Sequence, residues 1–154
     1  MKRGLRNLLA EKLESGKLGV LYNSYDVVGD IAILRVPEAL GRRAKEIGEA
    51  IMQVNRHIKT VLYQTSPISG DLRLRELRWI AGEEKTETTH KEHGCLFKVD
   101  LRHCYFSPRL QYERMRIAQQ VRRGEVVVNM FSGVGCFSII IAKQSNPSKV
   151  YSID

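Results

Sequence analysis

The chain has 154 residues, 43% of them hydrophobic, so it can bury a core and does not have the composition of a disordered protein. Its formal net charge is +8, and residues 56–123 carry 14 Lys and Arg against 8 Asp and Glu. A polyanion is the economical partner for such a chain, and a generally basic surface is the alternative. No apolar run approaches the roughly 18 residues that span a bilayer, and no signal peptide is evident. We therefore expect a soluble, cytoplasmic protein without a membrane partner.

Cysteine and histidine spacings give no metal-binding pattern. Cys95, Cys104 and Cys136 form no CxxC pair and cannot all be paired in disulfides. His90 and His93 flank a predicted hairpin turn, where we expect both side chains to face solvent. The sequence thus predicts no metal site.

Elements in the first half of the chain can be taken in order. Residues 1–16 form a predicted amphipathic helix, and a Gly-Asp turn precedes a predicted strand over residues 31–36. Pro37 opens a predicted helix, and a short strand follows around residues 60–63. The helix has a core-facing apolar stripe at spacings of four, three, four and three: Leu40, Ala44, Ile47, Ile51 and Val54.

A strand-rich segment follows. Residues 72–81 alternate as a strand does, and Arg73 and Arg75 share one face of it. Residues 86–90 and 95–100 are predicted to pair as a hairpin around Glu92-His93-Gly94. The pattern up to this point is that of an α+β unit.

From Leu110 the order becomes helix, strand, glycine loop, helix, strand, which is typical of an α/β parallel sheet. We place a domain boundary between residues 104 and 105. The predicted fold class is therefore α/β with an α+β N-terminal part, divided into residues 1–104 and 105–154.

The last 29 residues predict half of a nucleotide-type pocket. An apolar strand ends at Asn129 and leads into a small-residue turn with Gly133 and Gly135. Glycines let a ligand approach the backbone closely, and the following helix begins with free N–H groups. Asp154 closes a second strand 21 residues after Gly133, where such folds place the carboxylate for a ribose hydroxyl. A strand-to-helix turn without a ligand is the alternative.

A second motif covers residues 105–114, Tyr-Phe-Ser-Pro-Arg-Leu-Gln-Tyr-Glu-Arg. Pro108 suits the first turn of a helix, and Ser107 is a natural N-cap for it. Arg109 and Glu113 are four residues apart and so share one helix face. The residues alone leave two interpretations open, a surface ion pair or a pair for proton transfer and anion recognition.

Together the two motifs resemble the archaeal and eukaryotic tRNA (guanine-37, N1)-methyltransferase family. Earlier segments continue in that family's order and extend the resemblance over nearly the whole chain. These segments are D-V-V-G-D-I-A-I-L at Asp26–Leu34, K-T-V-L at Lys59–Leu62, R-x-R-x-L at Arg73–Leu77, G-E-x-K-T-E-T at Gly82–Thr88 and H-x-x-H-G-C-x-F-K-V-D at His90–Asp100.

The resemblance implies a small RNA-contacting domain joined to a Rossmann-like domain that uses S-adenosyl-L-methionine. It also implies a substrate, the guanosine 3′ to the anticodon in tRNA, and a monomeric enzyme. By motif position, Glu113 corresponds to the base that removes the N1 proton, and Arg73 to the arginine that holds guanine O6. Arg75 is a second candidate for the O6 contact. We expect burial to raise the pKa of Glu113 when RNA binds.

Binding roles follow from the same resemblance. The positions that correspond to cofactor contacts are Tyr105, Arg109, Asn129, Phe131, Gly133, Gly135 and Asp154. The basic positions expected to contact RNA are Arg75, Arg78 and Arg114.

Some features depart from the family pattern. The family usually has Asp at the position of Asn129, and Ala and Pro at those of Ser132 and Cys136. The remaining strands of the sheet would follow Asp154, so we expect an N-terminal portion of an enzyme that does not turn over alone. Two other functions stay open: a wyosine-pathway enzyme, either an aminocarboxypropyl transferase or a methyltransferase that also acts on a wyosine precursor, and a non-catalytic tRNA-binding module.

Overall fold

The computed structural model describes residues 25–35, 38–67, 70 and 74–154. The predicted helix over residues 1–16 lies outside the described residues, as do Pro37 and Arg73. Eight strands and three α-helices occupy the described part, in a mixed α and β order. The predicted fold class is confirmed.

A four-stranded sheet forms the first half of the structure. Its strands are β1 (Asp26–Val28), β2 (Ile31–Leu34), β3 (Thr60–Gln64) and β4 (Leu77–Gly82), in that spatial order. β2 runs parallel to β3, whereas β1 and β4 run antiparallel to their neighbours. Every side chain of β2 is buried, because the sheet is covered on both faces at this strand.

Helix α1 (Ala44–Val54) connects the two parallel strands β2 and β3, as a parallel pair requires. A 3-10 helix over Glu38–Arg43 precedes it. The predicted apolar stripe is confirmed at Ala44, Ile47 and Ile51, which are buried, whereas Val54 at the end of the helix is only partly buried. These side chains pack with β2, β3 and β4 in a first hydrophobic core.

The predicted hairpin is formed by β5 (Glu87–Glu92) and β6 (Cys95–Asp100). Its turn is His93-Gly94, with φ of 48° and 77°, which matches the two-residue turns that fit the twist of a hairpin. The prediction that Glu92 belongs to the turn was wrong. Glu92 is the last residue of β5, and its side chain is buried.

The strand predicted over residues 72–81 is shorter than expected. β4 begins at Leu77, opposite Gln64 of β3, so Arg75 precedes the strand. The pairing also shifts between Val61 and Leu62, which lie opposite Ala81 and Trp79, so the irregularity is at Ile80.

The second half confirms the predicted order of helix, strand, helix and strand. After a 3-10 helix over Pro108–Leu110 its elements are α2 (Gln111–Ala118), β7 (Val126–Asn129), α3 (Cys136–Gln144) and β8 (Lys149–Ser152). β7 and β8 are parallel. Ser107 has the extended backbone of an N-cap, but in the described part its side chain makes no capping hydrogen bond.

A second hydrophobic core joins the two halves. Ile31 and Leu62 of the four-stranded sheet pack in it with Phe97, Phe106 and Ile140. Side chains on both sides of residue 104 therefore share one core, and the domain boundary stays a prediction. No helix within the described ranges is long and apolar enough to cross a membrane.

Candidate cofactor and nucleic-acid site

The loop after β7 is bonded to the end of β8. The Gly133 N–H donates to Asp154 Oδ1 at 2.9 Å, and the Ser132 N–H donates to the Ile153 carbonyl at 3.0 Å. The Ile153 N–H in turn donates to the Asn129 carbonyl at 2.9 Å. Gly133 and Asp154, which are 21 residues apart in sequence, are thus in direct contact.

Both glycines of this loop adopt left-handed backbone conformations, with φ of 50° at Gly133 and 78° at Gly135. A Cβ atom added at Gly133 would meet nothing within 4 Å, so the space above this residue is open. Gly135 occupies the position before α3. A ligand can therefore approach the loop backbone, while the exposed Asp154 carboxylate has a second oxygen that can accept hydrogen bonds from it.

Hydrogen bonds between polar side chains connect the elements on either side of the glycine loop. Asn129 Nδ2 donates to Ser138 Oγ at 3.0 Å, and Ser152 Oγ donates to the same oxygen at 2.7 Å. Ser138 belongs to the first turn of α3, and its hydroxyl joins β7, α3 and β8. Phe131 lies on the outer side of the loop with 85% of its surface exposed.

Glu113 lies on α2 with its carboxylate accessible, at 45% side-chain exposure. It accepts hydrogen bonds from Arg116 Nε at 2.8 Å and Nη2 at 2.5 Å. The bonds from Arg116 lower the pKa of Glu113 below its ordinary value. The possible ion pair between Arg109 and Glu113 is not formed.

Arg109 instead contacts the first strand. Its Nε donates to Asp26 Oδ1 at 2.7 Å, and Asp26 Oδ2 lies 3.9 Å from Arg75 Nη1. Tyr105 is exposed, with 40% of its surface accessible. Arg109 and Arg75 therefore meet at Asp26, whereas Glu113 is bonded to Arg116.

Arg75 is only 10% exposed, and its contact with RNA stays a prediction. Its Nη2 donates to the Phe106 carbonyl at 3.3 Å, and burial lowers the pKa of its guanidinium more than Asp26 raises it. The side chain does line a cavity of about 490 Å³, in which Arg102 is a second cation. A ligand could reach Arg75 through that cavity.

The other two predicted RNA contacts differ in accessibility. Arg78 is exposed on β4 and remains available. Arg114 is buried, and its Nη1 donates to Glu92 Oε2 at 2.5 Å. The predicted RNA contact of Arg114 is therefore wrong, because the guanidinium points into the protein rather than toward solvent.

His90 was also expected at the surface and is largely buried. Its Nδ1 accepts the Gly29 N–H at 3.1 Å, and its ring packs edge-on against Phe106 with centroids 5.0 Å apart. Burial lowers the pKa of His90 more than the nearby Glu92 raises it.

Sequence reasoning missed Glu92 as an interior residue. Thr88, His90 and Glu92 occupy alternate positions of β5, so the period of two could have indicated that all three face inward. Cys136 lies near Glu92 and Arg114, and burial raises the pKa of its thiol to about 11. Across the described ranges, no cluster of three His, Cys, Asp or Glu side chains could hold a metal ion.

Two family models match the chain. A model of the TYW2 N-terminal domain matches residues 5–86, and a model of the TRM5/TYW2 methyltransferase domain matches residues 88–154. Together they cover both the sheet with α1 and the glycine loop with Asp154. The chain belongs to the TRM5/TYW2 family.

Several members of this family are similar to the chain over most of its length. The tRNA (guanine(37)-N(1))-methyltransferase Trm5b of Pyrococcus abyssi is 50% identical over 125 residues, covering 81% of this chain and 38% of its own length. In a solved complex of aTrm5 and tRNALeu, the enzyme is 41% identical with a TM-score of 0.87, over 100% of this chain and 46% of that one. P. horikoshii TYW2 in complex with MeSAdo is 30% identical with a TM-score of 0.75, and the match covers 100% of this chain and 53% of that chain. The chain thus spans about half or less of the length of these TRM5/TYW2 proteins.

Proposed function

We propose that this chain forms part of a tRNA (guanine-37, N1)-methyltransferase that takes its methyl group from S-adenosyl-L-methionine. The similarity to Trm5b of P. abyssi and to the tRNA-bound aTrm5 supports this substrate. The bond between Gly133 and Asp154 is the observation that carries the proposal, because it assembles an open backbone and a carboxylate at one place.

The residues at the glycine loop fit the cofactor. In this proposal the Asp154 carboxylate accepts hydrogen bonds from the ribose hydroxyls, and the open backbone at Gly133 lies along the cofactor. Phe131 offers an exposed ring as an apolar contact. When bound, S-adenosyl-L-methionine supplies a methyl group on a positively charged sulfur.

Glu113 and Arg73 act on the guanine in this proposal. Guanine N1 carries a proton and is a poor nucleophile until it is lost, so Glu113 takes that proton. The N1 lone pair then forms the bond to the methyl carbon as the carbon–sulfur bond breaks, with its electrons remaining on sulfur. Arg73, outside the described residues, stabilises the negative charge on O6 in the role that the resemblance implies.

In the free chain the pKa of Glu113 is lowered, and a lowered pKa suits the role of a base poorly. A carboxylate whose pKa is lowered by Arg116 is a weak base toward guanine N1. We therefore propose that RNA binding separates Glu113 from Arg116 and buries it, which would raise its pKa.

A wyosine-pathway transferase is the second candidate. The match to the TYW2 N-terminal domain and the similarity to P. horikoshii TYW2 favour it. It would move the aminocarboxypropyl group of the same cofactor. The accessible carboxylate of Glu113, which a deprotonation at N1 requires, favours methyl transfer to guanosine.

The proposed partner is the anticodon loop of tRNA, which would bind next to exposed basic residues such as Arg78. We also propose that the protein acts as a cytoplasmic monomer and needs no metal ion for methyl transfer.

A glutamate substitution tests the proposed base. In the protein at its full natural length, Glu113→Gln removes the proton acceptor, and a general base typically contributes about 10²–10⁴-fold in rate. We expect a loss of at least about a hundredfold in the single-turnover methylation rate of a tRNA with guanosine 37. Glu125→Gln, at another exposed glutamate, is the control. An unchanged rate for Glu113→Gln would show that this residue is not the base.

A further inference from the structure

A buried pair of charged side chains lies where α2 meets the hairpin of β5 and β6. Arg114 Nη1 and Glu92 Oε2 are 2.5 Å apart, and the two side chains are 3% and 1% exposed. The two residues are 22 positions apart in sequence, so the pair joins separate elements. It is the most deeply buried ion pair within the described ranges.

Arg114 also contacts the segment that precedes α2. Its Nη2 donates to the Ser107 carbonyl at 2.8 Å, and its guanidinium carbon lies 5.0 Å from the centre of the Phe106 ring. One side chain thus connects the hairpin, the residues just before α2, and α2 itself.

Glu92 extends the contacts to the first sheet. His90 Nε2 lies 3.6 Å from Glu92 Oε2, and His90 Nδ1 accepts the N–H of Gly29 in the turn between β1 and β2. The same His90 ring packs against Phe106. The buried pair is therefore at the centre of a network that runs from the first sheet to α2.

Stability alone does not account for this arrangement. A buried ion pair must repay the loss of hydration of both charges, and apolar side chains of similar volume often stabilise a fold as well or better. Glu92 Oε1 and Arg114 Nε are buried and lack hydrogen-bond partners in the described part, so the cost is not fully offset. What the pair does provide is directed bonds, which fix where α2 and Ser107 lie.

We propose that Glu92 and Arg114 are positioning residues for the base, Glu113, and for Tyr105, the predicted cofactor contact. Glu113 is adjacent to Arg114 on α2, and Tyr105 is two residues before Ser107, so the pair sets the position of both. This inference rests on the proposed methyl transfer. Neither Glu92 nor Arg114 touches the substrate.

Substitutions that separate stability from position test the proposal. Glu92→Gln keeps the shape but leaves Arg114 unpaired, whereas the double variant Glu92→Gln with Arg114→Met removes both charges and also the bond to Ser107. Glu87→Gln, at an exposed position of the same strand, is the matched control. Methylation rates of the full natural-length protein are measured in single turnover, at a temperature where circular dichroism shows every variant folded.

We expect at least a tenfold lower rate for both Glu92 variants and a rate within twofold of the wild type for Glu87→Gln. The double variant should keep its low rate even where its melting temperature equals that of the wild type. If the pair served stability alone, the methylation rate of the double variant would return to the wild-type rate wherever the two proteins are equally stable. A wild-type rate in the folded double variant would overturn the proposal.

Amide hydrogen exchange tests the positioning without any methyl transfer. We expect exchange in residues 105–114 to be at least tenfold faster in the double variant, with β2 and β3 unchanged. If the wild-type protein transfers no methyl group, the proposed function fails, and exchange still decides whether the pair holds α2. Unchanged exchange in residues 105–114 would refute the positioning role.

Discussion

At the residue scale, neighbouring side chains on α2 have opposite environments. Glu113 is accessible and bound by Arg116, whereas Arg114 is buried against Glu92. Successive residues of an α-helix point about 100° apart, so one residue can face solvent while the next faces the core. The sequence placed both residues on a helix, but only the packing of α2 on the hairpin decides which of them is exposed.

Removing Arg116 should make Glu113 less acidic. Arg116 stabilises the charged carboxylate, so in Arg116→Gln the pKa of Glu113 should rise toward the ordinary value for glutamate. Carbon-13 NMR of the side-chain carboxyl carbon during a pH titration measures this. Arg123→Gln, at an exposed arginine outside the pair, should leave the titration midpoint in place. A midpoint that does not move in Arg116→Gln would contradict the observed pairing.

At the element scale, the turn between β1 and β2 is held against β5. The Asp30 carboxylate accepts bonds from Lys85 Nζ and Thr88 Oγ1, both at 2.8 Å, and the Asp30 N–H donates to Thr88 Oγ1 at 3.2 Å. A Cβ added at Gly29 would lie 2.0 Å from Thr88 Oγ1 and 2.7 Å from the Thr89 carbonyl. Only glycine allows this close approach.

Two glycine substitutions separate backbone strain from collision. Gly29 and Gly133 have similar φ values of 55° and 50°, but only Gly29 has neighbours that an added methyl group would strike. We expect Gly133→Ala to lower the free energy of unfolding by about 1–2 kcal/mol, the cost of a left-handed conformation. Gly29→Ala should cost at least about 3 kcal/mol, because overpacking adds to that strain. Urea unfolding measures both, and equal losses would contradict the close packing of this turn.

Element types were easier to predict than element ends or burial. The stripe of α1, the hairpin and the parallel order of β7 and β8 follow from local periodicity and turn residues, and all three are confirmed. The pairing of Glu92 with Arg114 and the late start of β4 depend on contacts with α2 and β3, which lie in other parts of the sequence. The contact of Gly133 with Asp154 was predictable because strand, loop and acid follow a fixed order in such folds.

At the scale of the whole molecule, the second hydrophobic core connects the first sheet to the glycine-loop half. Phe106 is 2% exposed and packs against Phe97, His90 and Arg114. Because this core contains side chains from both predicted domains, we expect the two halves to lose structure together.

Substitutions of two phenylalanines test whether the second hydrophobic core holds the two halves together. Phe106→Ala should lower the free energy of unfolding by about 3–5 kcal/mol, as expected for a fully buried phenylalanine. Phe131→Ala, at a residue 85% exposed, should change it by no more than about 0.5 kcal/mol. Denaturant unfolding followed by the signal of Trp79 and by circular dichroism should give one transition. A Phe106→Ala variant as stable as the wild type would contradict the central position of this ring.

Identification of the modified nucleoside tests the central claim most directly. The protein at its full natural length is incubated with S-adenosyl-L-methionine and a tRNA transcript that has guanosine 37, and the digested RNA is analysed by nucleoside mass spectrometry. A matched transcript with adenosine 37 is the control. The account predicts 1-methylguanosine from the first transcript and no methylated product from the second. An aminocarboxypropyl product, or a guanosine 37 left unmodified by the folded protein, would contradict it.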